Sequence, residues 1–83
     1  MRSLYSIVKS DDYGKVVVKL SECLNDRNIT RNKLRTLTGL KYEVIDRYYK
    51  NNIERVDLDF LAKVCYVLDC DISDLLEYKE AEH

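Results

Sequence analysis

Proline is absent from this chain and glycine occurs only twice, at Gly14 and Gly39. All-β domains need frequent reversals of the kind these residues supply, so their scarcity argues for helices joined by short loops. Long hydrophobic runs are missing as well. No apolar stretch approaches the roughly 18 residues that cross a bilayer. The N-terminus lacks the charged-then-apolar layout of a secretory signal, so a cytoplasmic protein with no membrane contact is expected. The cysteines, Cys23, Cys65 and Cys70, are odd in number, which fits a reducing compartment better than a disulfide framework. Cys65, Cys70 and His83 lack the Cys-x2-Cys spacing and the defined fourth ligand of a zinc site. Cys23 and Cys65 instead fall in apolar helical stripes, where a free thiol packs as a small hydrophobe. His83 is the single histidine, no glycine-rich phosphate loop occurs, and no serine or cysteine has a base partner. Neither an enzyme nor a cofactor is expected.

What is present is charge, unevenly spread. With 83 residues the chain builds one small domain with a modest core. Its formal charge of −1 hides a strong segregation. From Arg27 to Lys50 there are seven basic residues against two acidic; from Asp57 to His83 there are two basic against eight acidic. Attraction of a polyanion depends on the local field, so the basic segment points to nucleic acid whatever the total.

Residues 1–12 read as an N-terminal arm. Within it Leu4, Tyr5, Ile7 and Val8 suit a short strand or an irregular packed segment, and Ser10, Asp11 and Asp12 a loop. From Tyr13 the apolar positions Val16, Val17, Leu20, Cys23 and Leu24 follow helical spacing and predict a first helix. The run Val16-Val17-Val18 keeps a strand as the rival there, since β-branched residues are poor helix formers. Thr30 is a natural N-cap for a second helix with Leu34 and Leu37 inward. Gly39 supplies the left-handed turn into a third, over about 41–50. In that third helix Val44, Ile45 and Tyr48 point inward, while Tyr42, Glu43, Asp46, Arg47 and Lys50 point outward. Asp57 caps a fourth helix with core positions Leu58, Leu61, Cys65 and Leu68, its apolar face widened by Phe60, Val64 and Val67. That width leaves two fates for Phe60, Val64 and Val67, ordinary core or a self-associating patch. Asp71 or Ser73 caps a short fifth helix carrying Leu75 and Leu76, and residues 80–83 form a charged tail. The expected fold is all-α, with a domain over 13–79.

The order of these features resembles the DNA-binding domain of phage repressors and xenobiotic-response-element-type regulators. The resemblance runs from Leu20 to Tyr78. It is carried by Thr30, Leu34, Gly39 and Ile45, by Val56-Asp57-Leu58 through Cys65, and by the ending Leu68 to Glu77. It implies a compact five-helix bundle containing a helix-turn-helix, binding double-stranded DNA in sequence-specific fashion as a small transcriptional regulator. The third helix would enter the major groove with Lys41, Tyr42, Glu43, Asp46 and Arg47 at base edges. Arg31 would abut the backbone, and Lys50 and Arg55 would hold flanking phosphates. Lys41 stands where the family usually has a capping serine or threonine, and it cannot cap in that way. Glu43 and Asp46 bring negative charge to a DNA-facing helix; a carboxylate there accepts from cytosine N4 or orients a neighbouring arginine. A homodimer on a two-fold site is expected, because one domain of this size contacts few base pairs. The second reading is a protein-interaction module or antitoxin-like partner on the same scaffold, engaging another protein through its acidic C-terminal half.

Overall fold

The structure, a computed structural model, describes residues 7–9 and 11–82. Its elements run β1 (Lys15–Val18), α1 (Leu20–Asp26), α2 (Arg31–Thr38), α3 (Tyr42–Tyr49), α4 (Leu58–Leu68), α5 (Ile72–Leu75) and β2 (Leu76–Lys79). Among the described residues there are five helices, but the fold is not strictly all-α. β1 and β2 pair antiparallel, with Lys15 opposite Lys79, Val16 opposite Tyr78, Val17 opposite Glu77 and Val18 opposite Leu76. The helix expected from Tyr13 begins only at Leu20, and the strand alternative prevails at the three valines. β-Branched side chains favour the extended backbone once a partner strand is supplied. That partner comes from the far end of the chain, in residues that local pattern assigns to the fifth helix and the approach to a charged tail. Tyr13 and Val16, expected on an inward stripe, are consequently exposed.

A lone two-stranded ribbon is marginal in water, so this one needs anchors. The Lys19 amide donates to the Leu75 carbonyl at 2.7 Å. The Gly14 amide donates to the Tyr78 hydroxyl at 2.9 Å. Just before β1 the chain at Gly14 lies close against Lys79, since a Cβ built there would lie 1.6 Å from the Lys79 carbonyl oxygen. Of the N-terminal arm expected over 1–12, Leu4 and Tyr5 lie outside the described residues. Asp12 closes a turn, its carboxylate accepting from the Lys9 amide at 2.9 Å.

The core gathers Val18, Leu20, Cys23, Leu24, Leu34, Ile45, Tyr48, Phe60, Leu61, Val64, Leu68 and Leu75. In α4 the inward row is Phe60, Leu61, Val64 and Leu68; Leu58, expected there, is 77% exposed, and Cys65 is half-buried. Two apolar rows of similar quality compete on this helix, and an aromatic pair decides between them. Phe60 stacks on Tyr48 with ring centroids 3.7 Å apart and planes 9° from parallel, a contact worth about 0.5–1.5 kcal/mol beyond burial. The Tyr48 hydroxyl accepts from the Asp57 amide at 2.8 Å, which satisfies its polar end. Burial of Phe60 and Val64 removes the self-associating patch considered around them. Leu37, expected inward on the second helix, is 46% exposed.

The caps are local and follow the residues. Thr30 accepts from the Lys33 amide at 3.0 Å, and Asp57 from the Asp59 amide at 2.9 Å. Asp71, not Ser73, starts α5, in a reciprocal capping box with Asp74. Several of the acidic residues after Val56 therefore serve helix termini, where the peptide dipole favours negative charge. The Cys23 thiol is buried and donates to the Asp74 carbonyl at 3.0 Å. All three cysteines are free, and burial, with Cys65 alongside, pushes the Cys70 thiol up to about 11. Among the described residues no helix is long and apolar enough to cross a membrane.

Candidate nucleic-acid interface

α2 and α3 pack against each other, and each buries an aliphatic side chain completely, Leu34 and Ile45. The chain passes between them at Gly39, whose φ of 73° is left-handed and whose amide donates to the Arg35 carbonyl at 2.9 Å. Thr38 tightens the same turn. Its hydroxyl donates to the Leu34 carbonyl at 2.7 Å and accepts from the Leu40 amide at 3.2 Å. Lys41 then enters α3 from extended backbone without a side-chain cap, as its chemistry requires. Its ammonium remains exposed at the start of the helix.

The outward side of α3 divides into two groups. Lys41, Glu43 and Arg47 are exposed, and Tyr42 is partly so, at 37%. Among the described residues no ion pair engages Lys41, Glu43 or Arg47, so these side chains are available to a ligand. Asp46 is different. It is half-buried, accepts from Arg31 at 2.5 Å and lies 3.0 Å from the Lys50 ammonium. The hydrogen bond from Lys50, with that from Arg31, holds its carboxyl below the ordinary value of 3.8, against the opposing effect of desolvation. Arg31 also lies over the Tyr49 ring at 4.3 Å and 6.0 Å from the centre of the Tyr42 ring. The first residue of α2 is thus tied to the outer face of α3 by one carboxylate and two aromatic rings.

Of the expected site residues, the structure brings Arg31, Tyr42, Asp46 and Lys50 into one cluster. Lys41, Tyr42 and Glu43 line an open cleft with Asn32 and Arg35 of α2. Arg47 stands on the same helix, and Arg55 is exposed in the loop between α3 and α4. Sequence reasoning missed Asn32, Arg35 and Tyr49. Asn32 and Arg35 are three apart on a helix and joined by a 3.2 Å hydrogen bond from the Arg35 guanidinium, a spacing readable in advance. Tyr49 carries no such signal, because its role depends on how the two helices meet. One member of the basic cluster is spoken for. Arg27 clasps α1 to α4, donating to the Leu68 carbonyl at 3.2 Å and the Cys23 carbonyl at 3.1 Å.

Known proteins share this fold. The chain is 29% identical over 75 residues to an SPbeta prophage-derived uncharacterized HTH-type transcriptional regulator, YopS, of Bacillus subtilis (strain 168), covering 82% of this chain and 99% of the relative. Among solved structures it superposes on the transcriptional regulator VanUg with a TM-score of 0.66 and 28% identity, over 96% of this chain and 99% of that one. A putative DNA-binding protein from Bacteroides fragilis shares the fold, with a TM-score of 0.67 and 24% identity, over 76% of this chain and 100% of that one. Residues 19–81, which hold all five helices and β2, match the Cro/C1-type HTH DNA-binding domain, and the chain belongs to that family.

Proposed function

We propose that this protein, a small DNA-binding transcriptional regulator by family, reads duplex DNA with α3 in the major groove. The observation that supports this best is the split outer face of α3. Lys41, Tyr42, Glu43 and Arg47 are open to solvent, whereas the one acidic side chain able to repel phosphate at its middle, Asp46, is neutralised by Arg31 and Lys50. In this reading Arg47 donates to base edges, Tyr42 and Glu43 make shorter-range base contacts, and Lys41 lies at the groove edge. Arg31, Lys50 and Arg55 face phosphates and set the register without reading sequence.

The domain acts in the cytoplasm as a homodimer, two copies presenting α3 to successive major grooves about 34 Å apart on an inverted repeat. Selection of bound sequences from random duplex DNA tests this directly. The expected product is an enriched two-fold site with half-sites about 10 base pairs apart. Failure to retain any duplex even at about 50 mM salt, where phosphate contacts are strongest, would transfer the scaffold to protein recognition.

A further inference from the structure

The open cleft between α2 and the first turn of α3 carries opposite charges on its two walls. Arg35 belongs to the α2 wall and Glu43 to the α3 wall, and both side chains are exposed. Gly39 lines the cleft between them, and even an added Cβ there would meet nothing within 4 Å, so this part of the floor is bare. The fold itself uses neither charge. Among the described residues Arg35 and Glu43 make no ion pair, with each other or with any neighbour.

Asn32 fixes how the arginine is presented. One turn earlier on α2, its carbonyl oxygen accepts from the Arg35 Nε at 3.2 Å. A guanidinium held at Nε keeps its two terminal amino groups as a parallel fork of donors. That fork, set across a cleft from an unpaired carboxylate, is the complement of one kind of base-pair edge. In the major groove guanine offers two neighbouring acceptors, O6 and N7, and its cytosine offers a donor, the N4 amino group. An A·T pair places the adenine N6 donor between N7 and the thymine O4, so its two acceptors are never adjacent. A phosphate offers acceptors alone and would be repelled by Glu43.

We infer that Arg35 and Glu43 together read one G·C pair, Arg35 donating to guanine O6 and N7 and Glu43 accepting from cytosine N4, with Asn32 positioning the arginine. The inference rests on the reading of duplex DNA by α3 given above and adds to it a base contact made from α2. All three side chains are exposed, so replacing them leaves the core untouched.

The test is selection of bound sequences from random duplex DNA by the full chain, as wild type, Arg35→Ala, Glu43→Gln and Asn32→Ala, followed by titration of each on the wild-type site and its single-base variants. The wild type enriches a site with a fixed G·C pair. Arg35→Ala and Glu43→Gln both relax preference at that same pair, and Arg35→Ala lowers affinity for the wild-type site by about tenfold or more. Asn32→Ala weakens the guanine preference there and leaves the other positions as they were. Unchanged preference in Arg35→Ala, a loss of affinity uniform over all sequences, or relaxation of different base pairs by Arg35→Ala and Glu43→Gln would overturn the inference while the reading by α3 stands. Wild-type discrimination in Asn32→Ala removes the positioning role. If the wild type enriches no duplex at all, the reading of DNA falls and this contact falls with it.

Discussion

Arg31 and Asp46 join the first turn of α2 to the outer face of α3 through a hydrogen-bonded ion pair of 2.5 Å. With Lys50 on its other oxygen, the carboxylate engages two of the cations assigned to phosphate. Asp46→Asn should leave Arg31 in place, because the Tyr49 ring still lies beneath it, while releasing both positive charges to the DNA. The expected outcome is tighter duplex binding at low salt and a plot of log affinity against log salt steeper by about one to two units. An unchanged slope would mean that neither Arg31 nor Lys50 approaches phosphate.

The same carboxylate carries a pH signature. Its folded pKa lies below 3.8, so the stabilising pair is fully present above that value and is lost as pH falls through the depressed one. Wild type and Asp46→Asn should therefore differ in melting temperature near neutrality and converge in strong acid. A gap that persists at the acid end would assign the difference to packing.

Arg47 reaches outward from α3 with no ion-pair partner among the described residues. Arg47→Ala is expected to cost about 1–3 kcal/mol of specific binding and to relax preference at one base position. Competition titrations against single-base variants of the selected site measure both effects. A uniform loss across all sequences would make Arg47 a phosphate contact.

The two glycines predict contrasting mutants. At Gly39 an added Cβ meets nothing within 4 Å, so only the positive φ opposes substitution, at about 1–2 kcal/mol for alanine, and asparagine should be better tolerated. At Gly14 the obstacle is the Lys79 backbone. Gly14→Ala must push the strands apart, with a loss of about 1–3 kcal/mol that asparagine cannot relieve. Denaturant melts of the four variants compare the two causes.

Much of the helical frame was legible because its signals are local. Thr30, Gly39, Asp57 and Asp71 act within a few residues of where they stand, and each does what its chemistry allows. The sheet was not legible, since Val16 finds its partner in Tyr78, more than sixty residues away, and no periodicity records such a pairing. In α4 the choice between the Leu58 row and the Phe60 row turned on Tyr48, another long-range contact. The site divides in the same way. Exposure of Lys41, Glu43 and Arg47 follows from helical spacing, but the capture of Asp46 by Arg31 depends on the docking of α2 against α3.

Asn51 tests how firmly the reading helix is tied to the rest of the fold. It follows α3 with a left-handed φ of 59°, and its side-chain amide pairs with the backbone of Val18 in both directions. It accepts from the Val18 amide at 2.7 Å and donates to the Val18 carbonyl at 2.5 Å. The side chain thereby stands in for a third strand at the end of β1 and couples the sheet to the end of α3. Asn51→Ala strands two backbone groups at once, each costing about 1–3 kcal/mol when buried without a partner. Asn51→Asp keeps the acceptor but loses the donor and faces the Val18 carbonyl with a negative charge, so it recovers at most part of the loss. Hydrogen exchange provides the check: in Asn51→Ala the Val18 and Lys19 amides should lose protection before those in α4. Equal loss throughout the chain would show that Asn51 stabilises the whole fold without specifically joining the sheet to the reading helix.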